Sequence, residues 1–194
     1  MPLILASASQ RRVDIFQKSS LNFKQIIPNV KEIQDKNANP LELVKTNALL
    51  KAESIAKNHN NVPVIAADTV VLAGTTLLGK PNSFEEALEM FELYRTEPVK
   101  VYSGLALLYQ KRSALGIDET SIKIRKRAFE AYKANAEKLF SLDKAGGFTI
   151  EGMGALLFDS IEGSYYNVLG FPLHLLDELM NTLGLSLWDY QSSP

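Results

Sequence analysis

The chain has 194 residues, 46% hydrophobic and 22% charged, with 21 Lys and Arg against 22 Asp and Glu for a formal charge of −1. This composition suits a single domain over residues 1–194, argues against long disorder, and supplies no global field to attract nucleic acid. Cysteine is absent, which excludes disulfides, thiol catalysis and Cys-ligated metal.

No apolar run approaches the roughly 18 residues of a membrane span. The opening MPLILASASQRR places its positive charges after a short apolar segment, the reverse of a secretory leader. It reads as mature protein, and a cytoplasmic location is the expectation.

Short apolar runs alternating with helical patterns predict an α/β architecture. Pro2 to Ala6 reads as a strand, and Ser7-Ala8-Ser9 supplies N-cap chemistry for a helix whose apolar face begins at Ile15 and Phe16. Phe23 to Ile27 reads as a second strand, ended by Pro28. Pro40 to Lys57 carries Leu41, Val44, Ala48, Leu49, Ala52 and Ile55 near helical spacing, with Pro40 in the first turn. Val62 to Leu72 is a strand pair or one bent strand, with a turn at Gly74. Phe84 to Tyr94 is an amphipathic helix with Glu85 and Glu86 at its positive end. Val99 to Tyr109 and Ile117 to Ile124 read as strands joined by the polar segment Gln110 to Ser113. Ala128 to Phe140 is a helix, Ala155 to Ile161 a strand, and Leu173 to Leu183 a last helix stopped at Gly184.

Gly74 to Lys80 satisfies the spacing G-x-x-x-x-G-K, but Pro81 stands where a phosphate-binding loop needs Ser or Thr, and no helix starts at the Lys. Gly152-Met153-Gly154 lacks the third glycine of a dinucleotide fingerprint, and His59 and His174 lack metal-ligand spacing.

Asp68 is the residue that most needs a reason, because it interrupts the apolar run Val62 to Leu72. A buried carboxylate without a partner is strongly disfavoured, so Asp68 calls for an ion pair or a task at the mouth of a cleft. Ser7, Ser9 and Arg11 or Arg12 follow the first strand, where backbone N–H groups, hydroxyls and a guanidinium would cradle a phosphate; a capped helix with exposed arginines is the plainer alternative. Lys80, between Gly79 and Pro81, is either a phosphate contact or a solvated turn lysine. Lys51 and Glu32 alone are a helix lysine and a loop glutamate.

Four ordered segments resemble the Maf family of nucleotide pyrophosphatases, first named for septum formation. Leu3 to Arg12 is similar to L-I-L-A-S-x-S-P-R-R, and Ala67 to Val71 with Gly79-Lys80-Pro81 to G-A-D-T-V-V…G-K-P. Asp143 to Gly152 is similar to D-K-A-G-x-Y-x-I-Q-G, and Ile161 to Pro172 to I-x-G-x-Y-x-N-V-x-G-L-P. The resemblance implies an elongated mixed sheet flanked by helices, with two lobes around a central cleft. It also implies a hydrolase of acid anhydrides that splits nucleoside triphosphates into monophosphate and pyrophosphate, with Mg²⁺ or Mn²⁺.

By the same resemblance Asp68 is proton acceptor, metal ligand or both, and Glu32 lies near the metal. Ser7, Ser9, Arg11, Arg12, Lys51 and Lys80 surround the phosphates, with Lys144 a further candidate. Arg11 and Thr69 match the branch acting on dTTP and UTP, whereas Glu151 stands where that branch has Gln. An ionised carboxylate only accepts hydrogen bonds, so it meets a uracil O4 with repulsion. A 7-methyl-GTP pyrophosphatase and a non-catalytic nucleotide-binding regulator of cell division stay open as alternatives. A nucleoside triphosphate is the expected partner, nucleic acid and membrane are not, and a homodimer is left open.

Overall fold

A computed structural model describes residues 2–126, 129–139 and 141–192. Seven strands form one mixed sheet flanked by helices. β1 (Leu3–Ala6) lies between two parallel neighbours, β2 (Phe23–Ile26) and β3 (Val64–Ala73). From β3 outward the sheet is antiparallel through β5 (Val99–Tyr109), β6 (Arg112–Ile124) and β7 (Phe158–Glu162), while short β4 (Thr76–Leu78) hairpins back onto β3. The helices are α1 (Gln10–Lys18), α2 (Pro40–Ala56), α3 (Phe84–Thr96), α4 (Phe129–Ala134), α5 (Ala136–Leu139), α6 (Tyr165–Val168) and α7 (Leu173–Thr182).

Most elements follow the apolar periodicity, and the departures have local causes. Val62 to Leu72 is one long strand rather than a pair, running from Val64 to Ala73, and the β3–β4 hairpin follows it with Gly74 at φ 58° in the turn. The expected connection at 110–113 shrinks to Gln110 and Lys111, whose φ values of 50° and 63° make a two-residue hairpin, so β6 already begins at Arg112. The strand expected at Ala155 to Ile161 starts only at Phe158, because Gly152–Leu157 coils into a 3₁₀ stretch. The expected helix from Ala128 to Phe140 divides into α4 and α5 at Asn135; its two end residues lie outside the described residues.

Strand alternation sorts β3 onto two faces. Ile65, Ala67 and Val71 join the main core with Val13 and Phe16 of α1, Phe91 of α3, and Leu176 and Met180 of α7. Val64 and Ala66 pack beneath Ala48 and Ala52 of α2. Asp68 therefore points toward α2, and Thr69 toward the opposite face. The contact of α2 with the sheet is close because β5 carries Gly104: a Cβ there would meet the Val44 carbonyl oxygen at 2.5 Å. β1 pairs with β3 only at Val64 and Ile65, β5 lines the whole of the other edge, and β4 takes up the β1-side edge from Val71, so that edge is open only from Ala67 to Val70. That opening beyond the carboxyl end of β1 is where an α/β sheet offers a ligand site.

Candidate active site

α2 brings two polar side chains, Asn47 and Lys51, one helical turn apart onto the face that covers Asp68. Lys51 is buried, and its Nζ donates to Asp68 Oδ1 at 2.7 Å, to the Ala67 carbonyl at 3.4 Å, and pairs with Glu32 Oε2 at 2.7 Å. Asn47 Nδ2 donates to Asp68 Oδ2 at 3.1 Å and to the Ile33 carbonyl at 3.1 Å, while its Oδ1 accepts from the Ile33 N–H at 2.8 Å. One amide thus ties the loop carrying Glu32 to the strand carrying Asp68. Asp68 has its ion pair, yet it also lines a cleft.

The two carboxylates are pushed apart electrostatically. Burial raises the Asp68 pKa above its ordinary value, and the opposing pulls of Lys51, Arg12 and Asn47 do not cancel it. Glu32 is half exposed; burial pushes it up, but the hydrogen bond and charge of Lys51 hold it below its ordinary value. Two linked carboxyl groups tuned in opposite directions are suited to different tasks, Asp68 taking a proton and Glu32 staying ionised.

The other side of the cleft comes from α1 and the turn before it. Ser9 holds the N-cap position of α1 but makes no side-chain cap bond; instead its N–H donates to Ser7 Oγ at 3.1 Å. Arg12 reaches across the free edge of β3: Nε donates to Gly170 O at 2.9 Å, one terminal nitrogen to Ala67 O at 2.8 Å, and the other to Thr69 Oγ1 at 3.1 Å. Thr69 Oγ1 also bonds Ser103 Oγ at 2.9 Å and donates to Gly170 O at 3.2 Å. Thr69 and Arg12 therefore latch the segment after α6 to the sheet. Burial and then the neighbouring Arg12 charge lower the Arg11 pKa, with Asp143 and Glu151 acting against them.

The cleft has a volume of about 150 Å³ and gathers Ser7, Ser9, Arg11, Arg12, Glu32, Lys51, Asp68, Thr69 and Lys80, all expected from sequence. Asp143, Pro28, Leu169 and Gly170 also line it. Lys144 and Glu151 do not: Lys144 bonds Ser141 Oγ at 2.9 Å, and Glu151 pairs with Lys18 at 3.6 Å. Asn47 escaped the sequence reading, although a polar residue four before Lys51 on an apolar helix face was a usable signal. The backbone acceptors Ala67 O and Gly170 O had no such signal. A larger hollow of about 590 Å³, near Leu21, Tyr166, Leu173 and Trp188, has no Lys or Arg in its lining and so lacks the cations a polyphosphate requires.

The donor chemistry bears on a metal. Among the described residues no three His, Cys, Asp or Glu side chains cluster to form a site. The Glu32 and Asp68 pair suits a hard cation of the Mg²⁺ or Mn²⁺ type, which is commonly held by one or two carboxylates with substrate phosphates completing the shell. No described helix is long and apolar enough to cross a membrane.

A family model described as "Maf-like protein" matches residues 2–183. A dTTP/UTP pyrophosphatase of Dictyoglomus thermophilum is 37% identical over 191 residues, covering 95% of this chain and 97% of its own. One from Bacillus mycoides is 33% identical over 174 residues, covering 88% and 90%. The solved structure of the Staphylococcus aureus Ham1 protein aligns with 65% of this chain and 73% of its own, with TM-score 0.47 and 16% identity, too remote to add to the family match.

Proposed function

Because the chain belongs to the Maf-like protein family, we propose that it is a nucleoside triphosphate pyrophosphatase, a hydrolase releasing a nucleoside monophosphate and pyrophosphate. The carrying observation is the meeting of a buried carboxylate, Asp68, with four cations, Arg11, Arg12, Lys51 and Lys80, in one cleft. Relatives named dTTP/UTP pyrophosphatases, together with Arg11 and Thr69, support a uracil or thymine nucleotide as substrate.

Hydrolysis at the α-phosphorus needs a deprotonated water and neutralisation of the leaving pyrophosphate. Asp68 Oδ1 accepts from an ammonium and is the less basic oxygen; Oδ2, facing the neutral Asn47 amide, takes the water proton. Ser7 and Ser9 sit at the start of α1 and present hydroxyls to a phosphate; Arg11 and Lys80 supply positive charge for the departing diphosphate. A divalent cation held by Glu32 and Asp68 would polarise the phosphoryl oxygens and lower the pKa of bound water.

The test is pyrophosphate release from dTTP and UTP with Mg²⁺ or Mn²⁺, wild type beside Asp68→Asn. Removing the base lowers kcat by about 10²- to 10⁴-fold in a protein that still melts cooperatively. Equal turnover by the two proteins overturns the assignment of Asp68, and no turnover by a folded wild type overturns the pyrophosphatase.

A further inference from the structure

We infer that Lys51 acts as an internal cation that competes with a divalent metal for Glu32 and Asp68, so that metal enters the cleft together with a nucleotide whose phosphates draw the ammonium away. The occupant rests on the pyrophosphatase reading above; the competition rests on geometry. Lys51 Nζ lies 2.7 Å from Glu32 Oε2 and 2.7 Å from Asp68 Oδ1. With the Ala67 carbonyl at 3.4 Å its three N–H donors all have acceptors. A hard cation bridging the same two oxygens needs them within about 2.0–2.6 Å, and so needs the space the ammonium fills.

Charge leads to the same conclusion. Two carboxylates balance one ammonium with a single negative charge left over, before the charge of nearby Arg12 is counted, whereas a divalent ion added beside the ammonium puts three positive charges against two negative ones next to the buried Asp68. Among the described residues no third carboxylate joins these two in a metal-holding group, and Asp143, which lines the same cleft, is engaged by Ser141 and Lys144. Lysine is suited to this exchange, since its point charge rides on a flexible four-carbon stem that can follow an anion. Nucleotide phosphates in the adjoining space beside Ser7, Ser9 and Lys80 would give the ammonium a new partner and the metal its missing ligands. Lys51 is therefore a positioning residue for metal entry, in addition to any contact with phosphate.

The experiment is a Mn²⁺ titration of the full chain without nucleotide, with the free ion followed by electron paramagnetic resonance. Lys51→Met keeps the apolar stem and removes the charge; its Mn²⁺ dissociation constant falls by about tenfold or more relative to wild type. Lys51→Gln, which keeps a polar end, shows the same direction if the Met variant melts too low to use, and Glu32→Gln added to either variant cancels the gain. Tight nucleotide-free Mn²⁺ binding by the wild type overturns the competition without any variant. So does an unchanged affinity in a folded Lys51 variant, or a gain that survives Glu32→Gln. Wild-type hydrolysis of dTTP is read separately: its absence defeats the pyrophosphatase reading alone, and turnover with an unmoved Mn²⁺ affinity defeats only the competition.

Discussion

Replacing Arg12 by Lys separates a latch from a simple phosphate contact. The guanidinium serves three acceptors in two segments: Gly170 O at 2.9 Å, Ala67 O at 2.8 Å and Thr69 Oγ1 at 3.1 Å. A lysine ammonium lacks the planar fork, so at least two of these bonds are lost. Hydrogen bonds to charged donors contribute about 1.5–3 kcal/mol each, but every acceptor here keeps a weaker partner. Gly170 O retains Thr69 at 3.2 Å, Ala67 O retains Lys51 at 3.4 Å, and Thr69 retains Ser103 at 2.9 Å. Two bonds at the low end of the range give a loss of about 3 kcal/mol. At roughly 2–4 °C per kcal/mol for a domain of this size, Tm falls by about 6–12 °C. Differential scanning calorimetry without nucleotide measures this directly. A variant melting within about 2 °C of wild type while hydrolysis collapses would refute the latch and leave Arg12 as a phosphate ligand alone.

Three further expectations concern the same architecture. Gly104→Ala drives a Cβ to 2.5 Å from Val44 O and 2.8 Å from the Lys45 nitrogen, so α2 must lift and take Asn47 and Lys51 away from Asp68; urea unfolding should show a loss of roughly 1–3 kcal/mol or more, with turnover reduced at least in proportion, and unchanged stability would contradict the close contact. Asp68 has a raised pKa in the folded protein, so its contribution to stability is complete below its ordinary value of 3.8 and is lost as pH rises through the folded value. Asp68→Asn removes that slope, and its stability relative to wild type should increase from pH 4 to pH 8 in parallel chemical denaturation series; a difference that does not change with pH rules out the raised pKa. Glu151 lies outside the phosphate cleft but acts electrostatically on Arg11 within it, so Glu151→Gln, which removes the charge paired with Lys18 and supplies an amide able to donate as well as accept, should raise kcat/KM for UTP relative to CTP several-fold if the base extends from the cleft toward it; an unaltered ranking means that Glu151 does not read the base.

Much of this fold was legible in the sequence because its signals are local. Pro40 at the start of α2, the alternation through β3, and Gly184 after α7 each act within a few residues, and the structure places those boundaries within one or two positions. Where neighbouring glycines bend the chain, as in Gly152–Leu157, apolar content without regular alternation misled the reading toward a strand. The site was legible in part: Asp68 drew attention by breaking an apolar run, but nothing local said that its partner was Lys51.

By itself the sequence determined most of the element types, the family and the set of polar residues available for chemistry, since propensity, period and motif spacing are properties of short segments. Tertiary structure alone decided what those residues do to one another. Asp68 and Thr69 are adjacent in the chain yet point to opposite faces of β3, one into the Lys51 and Glu32 cluster and the other into the Arg12 latch. The bond from Arg12 to Gly170 spans 158 positions. Such a contact exists only once a strand edge, a helix and a distant loop have been brought together, and that arrangement depends on packing across the whole sheet, which no local pattern encodes.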